Sequence, residues 1–200
     1  MYLQYDYQMR IRYSAPVEKC FYTIKCIPKT TMRQKATETK IQMSPQSDWS
    51  YGEDGWKNKT IYGNIQKAHD TFEFRVHGKV EIQPSKYEEK ADRYQIGMYC
   101  YPFGKCCPGD GLRQYFASAD LTGCGSALEK SIRIMHDLYQ HFSYVSRQTE
   151  VSTSAEEAWH IGMGVCQDYA HIFIVLLRLA GIPARYVCGL LAGEGASHAW

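Results

Sequence analysis

Cys166 follows Gly162 and Gly164, and a run that is apolar on nearly all sides follows it. His198 returns 32 residues later, inside Ser197-His198-Ala199-Trp200. A thiol and an imidazole are two parts of a nucleophile and its base. Only the thiolate attacks, and a free cysteine has a pKa of about 8.5. A helix N-terminus favours the anion, because its N–H groups lack intrahelical partners and the dipole is positive there. The same N–H groups can hold the oxyanion of an acyl-transfer intermediate. Asp168 suits a helix start but opposes a thiolate two residues away, so a cationic partner is required.

Seven histidines could supply that partner. His171 lies five residues along the same helix, roughly 140° around it, and points away. His69 and His77 fall in a strand-rich half, and His136 and His141 on another helix. That leaves His198, at the start of a strand that could pair beside the helix, and His160, in the preceding loop. The bland reading of Cys166 is a buried, inert thiol.

The surrounding elements must position these groups. In residues 1–85, Tyr5, Tyr7, Met9, Ile11 and Tyr13 alternate with Asp6, Gln8, Arg10 and Arg12. That is the period of a strand with one buried face. Tyr22, Ile24 and Cys26 continue the habit, as do Phe72, Phe74 and Val76, then Val80 and Ile82. Asp54-Gly55 fits a hairpin turn. Residues 86–125, rich in Gly and Pro, read as an irregular linker with a short helix over 111–119. From Ser126 the period becomes helical: Ile132, Met135, Leu138, Tyr139 and Phe142 share spacing. Ser154 and Glu157 form a capping box. The run Cys166–Ala180 reads as a central buried helix, stopped by Gly181 and Pro183. Residues 185–191 read as a strand, Gly193-Glu194-Gly195 as a turn, and Ser197 onward as another strand. The expected fold class is α+β. An antiparallel β-sandwich-like domain over 1–85 precedes a core over 126–200, in which helices pack on a small antiparallel sheet.

Bulk composition narrows the classes. The chain has 200 residues, 44% hydrophobic and 22% charged, with a net charge of +2. No basic or acidic run recommends nucleic acid or an anionic membrane as partner. No signal-like or membrane-spanning stretch is visible, so a cytoplasmic location is expected. Eight cysteines in a chain with ample core residues do not make a disulfide framework. Cys100, Cys106, Cys107 and Cys124 are the densest group. They lack a CxxC pair, so no metal site is assigned and no role for them follows.

Several segments together resemble a family. Glu156-Glu157-Ala158, Gly162, Gly164-Val165-Cys166-Gln167-Asp168-Tyr169-Ala170-His171, Leu179-Ala180-Gly181-Ile182-Pro183-Ala184-Arg185-Tyr186-Val187 and Ser197-His198-Ala199-Trp200 look like the transglutaminase-like core. They resemble the bacterial branch described as cysteine proteases, and the alternating first half resembles its β-rich N-terminal domain. Papain separates its cysteine and histidine by about 130–150 residues. The short spacing here suits the compact transglutaminase-like version of the papain-like arrangement.

The resemblance implies Cys166 as nucleophile and His198 as general base and acid, with no metal and no organic cofactor. An orienting aspartate would follow His198, beyond Trp200, and Asp168 is not promoted to that role. The substrate class implied is a protein or peptide presenting a peptide bond or a glutamine side-chain amide. The thioester would serve proteolysis, deamidation and cross-linking alike. The competing reading is a non-catalytic protein-binding module on the same scaffold. The missing aspartate further implies a truncated core of little activity, whose unfinished sheet edge favours self-association.

Overall fold

The computed structural model describes residues 1–83, 92–191 and 198–199, with Leu191, His198 and Ala199 described by backbone alone. The Gly193–Gly195 turn, Ser197 and Trp200 lie outside the described residues. The chain divides into two compact units, one of residues 1–89 with 189–199 and the other centred on residues 90–188.

In the first unit, β1 (Tyr2–Val17), β2 (Cys20–Ile24), β3 (Gln34–Ser44), β4 (Trp49–Glu53), β5 (Lys59–Ile65) and β6 (His69–Ile82) form two antiparallel sheets. Their orders are β1-β6-β3 and β2-β5-β4. The two alternating runs at Phe72–Val76 and Val80–Ile82 belong to one long central strand. Phe72, Phe74, Val76 and Val80 from one sheet cluster with Tyr22, Ile24, Ile61 and Ile65 from the other. The Tyr22 ring stacks on Phe72 with centroids 5.0 Å apart. Two tyrosines sit opposite glycines, Tyr5 against Gly78 and Tyr22 against Gly63. A β-carbon at either glycine would approach the facing tyrosine hydroxyl within 3 Å, so each glycine makes room for a ring across the ladder.

The expected hairpin at Asp54 is present. Its carboxylate accepts from the backbone N–H groups of Trp56 and Asn58, from the Asn58 amide and from Lys25. The expected buried face of β1 is only partly buried. Tyr5 is buried, but Met9 and Ile11 are 39% and 37% exposed. β1 is an edge strand, and the core gathers around the central strand β6 instead.

The second unit contains α1 (Arg93–Cys100), a 3-10 turn at Gly104–Cys106, α2 (Asp110–Ser118), α3 (Ala127–His141), β7 (Ser143–Tyr144), α4 (Ala155–Ile161), β8 (Met163–Gly164) and α5 (Cys166–Leu179). α2 falls where the short helix over 111–119 was expected, whereas α1 is a helix inside the stretch read as irregular. β7 and β8 pair in parallel, a ladder that no sequence expectation covered. Residues 185–189 are not strand. The Ala184 N–H donates to Tyr99 O, and the Arg185 guanidinium donates to the Tyr99 hydroxyl. The start of the segment is thus bonded to the end of α1. An antiparallel pair follows, β9 (Leu190–Leu191) with β10 (His198–Ala199), and it groups with the first unit.

α5 is the axis of the second unit. Ile172, Ile174, Val175, Leu176 and Leu177 are buried and pack with Leu112, Ile134, Leu138, Phe142, Ala155 and Ala158. Each such aliphatic side chain contributes about 1.5–3 kcal/mol by leaving water. The helix ends as expected. Gly181 has φ +72°, and the Gly181 N–H donates to Arg178 O while the Ile182 N–H donates to Leu177 O. Arg178 ties this end to α1, its guanidinium donating to Tyr99 O and Ala184 O and lying over the Phe103 ring. Among the described residues, no helix is long and apolar enough to cross a membrane.

Candidate functional site

Cys166 is the first residue of α5. It is a free cysteine and half-buried. The turn that presents it is built from both sides. Upstream, α4 closes at Gly162, which has φ +78°, and its N–H reaches Ala158 O and Trp159 O. The Ser143 and Val145 N–H groups then donate to Gly162 O and Gly164 O at 3.1 and 2.9 Å. These bonds hold the strand that runs into Cys166.

Downstream, Asp168 reaches back. Its Oδ2 accepts from the Val165 N–H at 2.8 Å, as the third helical residue does in a capping box. The same oxygen accepts from the Thr149 hydroxyl at 2.6 Å. Asp168 is 1% exposed. Its suitability for a helix start, expected from the sequence, is seen in its bond with the Val165 N–H. In the structure its Oδ2 is engaged by the backbone just before Cys166 and by Thr149, so it builds the turn.

The other histidines are accounted for in part. His160 Nε2 lies 3.2 Å from Glu156 Oε1, so this second candidate base is paired within its own helix. Glu156 in turn accepts from the N–H groups of Gly109, Gly111 and Leu112, which closes the open start of α2. His171 packs on the Tyr186 ring, with centroids 5.2 Å apart. Burial holds its pKa below the usual histidine value, Lys105 adds to that, and Asp168 partly opposes it. His141 Nδ1 lies 2.8 Å from Asp137 O. His198 lies on β10 opposite Leu191, and its side chain is outside the described residues.

Three residues around α5 carry no mark of a role in the sequence. Thr149 is one, since nothing in its neighbourhood marks it. Tyr186 is the second. Burial raises its hydroxyl pKa, and the nearby thiols of Cys188 and Cys166 add to the rise. Lys105 is the third, donating to Val151 O, the carbonyl that also accepts from the Gln167 amide at 3.5 Å. Among the described residues, no group of three or more His, Cys, Asp or Glu could hold a metal ion.

Comparison with known proteins agrees with this arrangement. Residues 3–81 match the bacterial transglutaminase-like N-terminal region. Residues 116–200, which include Cys166 and His198, match the transglutaminase-like superfamily core. Uncharacterized proteins of Mycobacterium bovis and Mycobacterium tuberculosis are 26% identical over 94% of this chain and 69% of their own length. An uncharacterized protein of Mycobacterium leprae is 43% identical over 28% of this chain and 24% of its own. The solved structure of "a Putative Cysteine Protease from Cytophaga hutchinsonii" superposes with a TM-score of 0.78 at 20% identity. It covers 100% of this chain and 73% of that one, and shares its fold. The chain belongs to the transglutaminase-like superfamily, with the bacterial N-terminal region preceding the core.

Proposed function

We propose that the protein is a cysteine acyl-transfer enzyme acting on protein or peptide amides, with Cys166 as nucleophile and His198 as general base and acid. The observation that carries this reading is the free, half-buried thiol at the first residue of a 14-residue helix. The core match that includes both residues supports it. In this mechanism the Cys166 thiolate attacks an amide carbonyl. The N–H groups at the start of α5 steady the oxyanion. The C–N bond breaks as the imidazolium of His198 gives its proton to the leaving amine. The thioester then passes to water, giving hydrolysis or deamidation, or to an amine, giving a cross-link.

The test is a glutamine-containing peptide incubated with the protein, with and without a fluorescent primary amine. Cleavage, ammonia release and amine incorporation are followed in parallel. Turnover in at least one assay, lost in both Cys166→Ala and His198→Ala, supports the reading. Activity that survives Cys166→Ala overturns it. Tight peptide binding with no turnover instead favours a protein-binding module.

A further inference from the structure

We infer that Thr149 is a positioning residue for Cys166, acting through Asp168; the inference rests on the nucleophile assignment above.

The segment between β7 and α4 is fastened to the start of α5 at three places. The Val145 N–H donates to Gly164 O. The Thr149 hydroxyl donates to Asp168 Oδ2. The Gln167 amide donates to Val151 O. The bonds therefore engage residues on both sides of Cys166. Within the same segment Arg147 holds φ +66°, a conformation that a non-glycine residue keeps only where its surroundings enforce it.

The central bond matters most, because Asp168 has few donors. Its carboxylate is almost wholly buried. Oδ2 has two donors, Val165 N–H and Thr149 Oγ1, while Oδ1 is buried without a partner among the described residues. A buried carboxylate this sparsely bonded depends on each donor. Without the hydroxyl, Asp168 Oδ2 keeps only the Val165 N–H as donor, the carboxylate that fixes the turn is less firmly held, and its charge is less well satisfied two residues from the thiol. Both changes act against Cys166. The first lets the turn drift, and the second opposes the developing thiolate. Thr149 never touches the substrate in this scheme. It fixes the group that fixes the turn.

The experiment uses the full chain with Thr149→Val, which keeps shape and removes the donor, and Thr149→Ser, which keeps the donor. Thr149→Ala repeats the deletion with a smaller side chain in case valine disturbs folding. Two readouts run together: the iodoacetamide rate at Cys166, resolved by peptide mass spectrometry, and kcat and KM on the peptide substrate. Thr149→Val is expected to slow both alkylation and kcat by about 10- to 100-fold, with KM within about threefold. Thr149→Ser should restore both to within about threefold of the parent. Alkylation of the exposed Cys107 and Cys188 should not change. Parent-like rates in Thr149→Val overturn the inference, as does a loss that serine fails to rescue. Activity surviving Cys166→Ala would defeat the nucleophile assignment alone, because the Cys166 alkylation rate still reports on the turn.

Discussion

A β-carbon on Gly164 would lie 2.4 Å from Oδ2 of Asp168 and 2.8 Å from its Cβ and Cγ. Glycine is therefore required two residues before the thiol by the carboxylate packed beneath the turn. Gly164→Ala must push Asp168 aside or move the turn, and β8 pairing restricts the second option. Overpacking of this kind costs about 1–3 kcal/mol. The expected result is a lower thermal midpoint together with slower alkylation of Cys166. A Gly164→Ala protein with parent stability and parent reactivity would show that the turn is softer than these distances indicate.

Glu156 carries a comparable burden at the start of α2. Its carboxylate satisfies three N–H groups at the start of α2 and also meets His160. Glu156→Ala would leave those donors with water at best, at a cost of about 1–3 kcal/mol for the buried share. Hydrogen exchange should quicken at Gly111 and Leu112 before it quickens in α5. Glu156→Gln, which keeps one acceptor oxygen, should fall between the two. Uniform exchange across α2 and α5 in Glu156→Ala would argue against a local capping role.

The difference between what the sequence foretold and what it did not follows from signal length. Phe72, Phe74 and Val76 alternate inside a 14-residue strand, and the apolar run after Cys166 fills a 14-residue helix. Such lengths average out local exceptions. In α3 the helical spacing holds but the buried face is only partly the expected one: Leu138 and Phe142 are in the core. Ile134 and Leu138 are buried, while Ile132, Met135 and Tyr139 are exposed. That helix carries apolar residues on two stripes, and only tertiary packing selects one. α1 buries Tyr99 alone, so it offers almost no periodic signal, although its Asp92–Gln95 capping box is visible in the sequence. The parallel β7–β8 ladder is two residues long, below any pattern. At the site, the thiol at a helix start was legible from local residues. The Thr149–Asp168 bond was not, because it joins side chains 19 residues apart through a loop without periodicity.

His171 sets a pH dependence of stability. Its folded-state pKa is lowered, first by burial and then by Lys105, with Asp168 opposing and Tyr186 packed on the ring. The unfolded chain therefore binds this proton more readily, with a pKa of about 6.5. Above that value both states are neutral, and the group has no effect on folding. As pH falls through about 6.5 toward the lowered folded value, the unfolded state gains the proton first and stability is lost. His171→Gln should flatten the stability profile between pH 7 and pH 5 relative to the parent. Denaturant unfolding across that range measures the difference. Parallel profiles in the two proteins would remove His171 as the cause.

The remaining thiols provide an internal scale for the nucleophile. Burial pushes the pKa of Cys26 up to about 11. Burial also raises Cys106, against the opposing charge of Arg178. Cys107 and Cys188 are exposed. Alkylation follows the thiolate fraction and access together. At pH 8 an ordinary thiol of pKa about 8.5 carries roughly two hundredfold more thiolate than Cys26. Brief treatment with limiting iodoacetamide, followed by isotopically heavy reagent after unfolding, ranks all eight sites in one sample. Cys26 and Cys106 should be labelled mainly after unfolding, with Cys107 and Cys188 ahead of them. Cys166 should lead despite being less exposed than those two, because its reactivity comes from the helix start rather than from access. If Cys166 instead tracks Cys106, the helix start lends the thiol no advantage, and the proposed nucleophile would have to draw its reactivity entirely from its base.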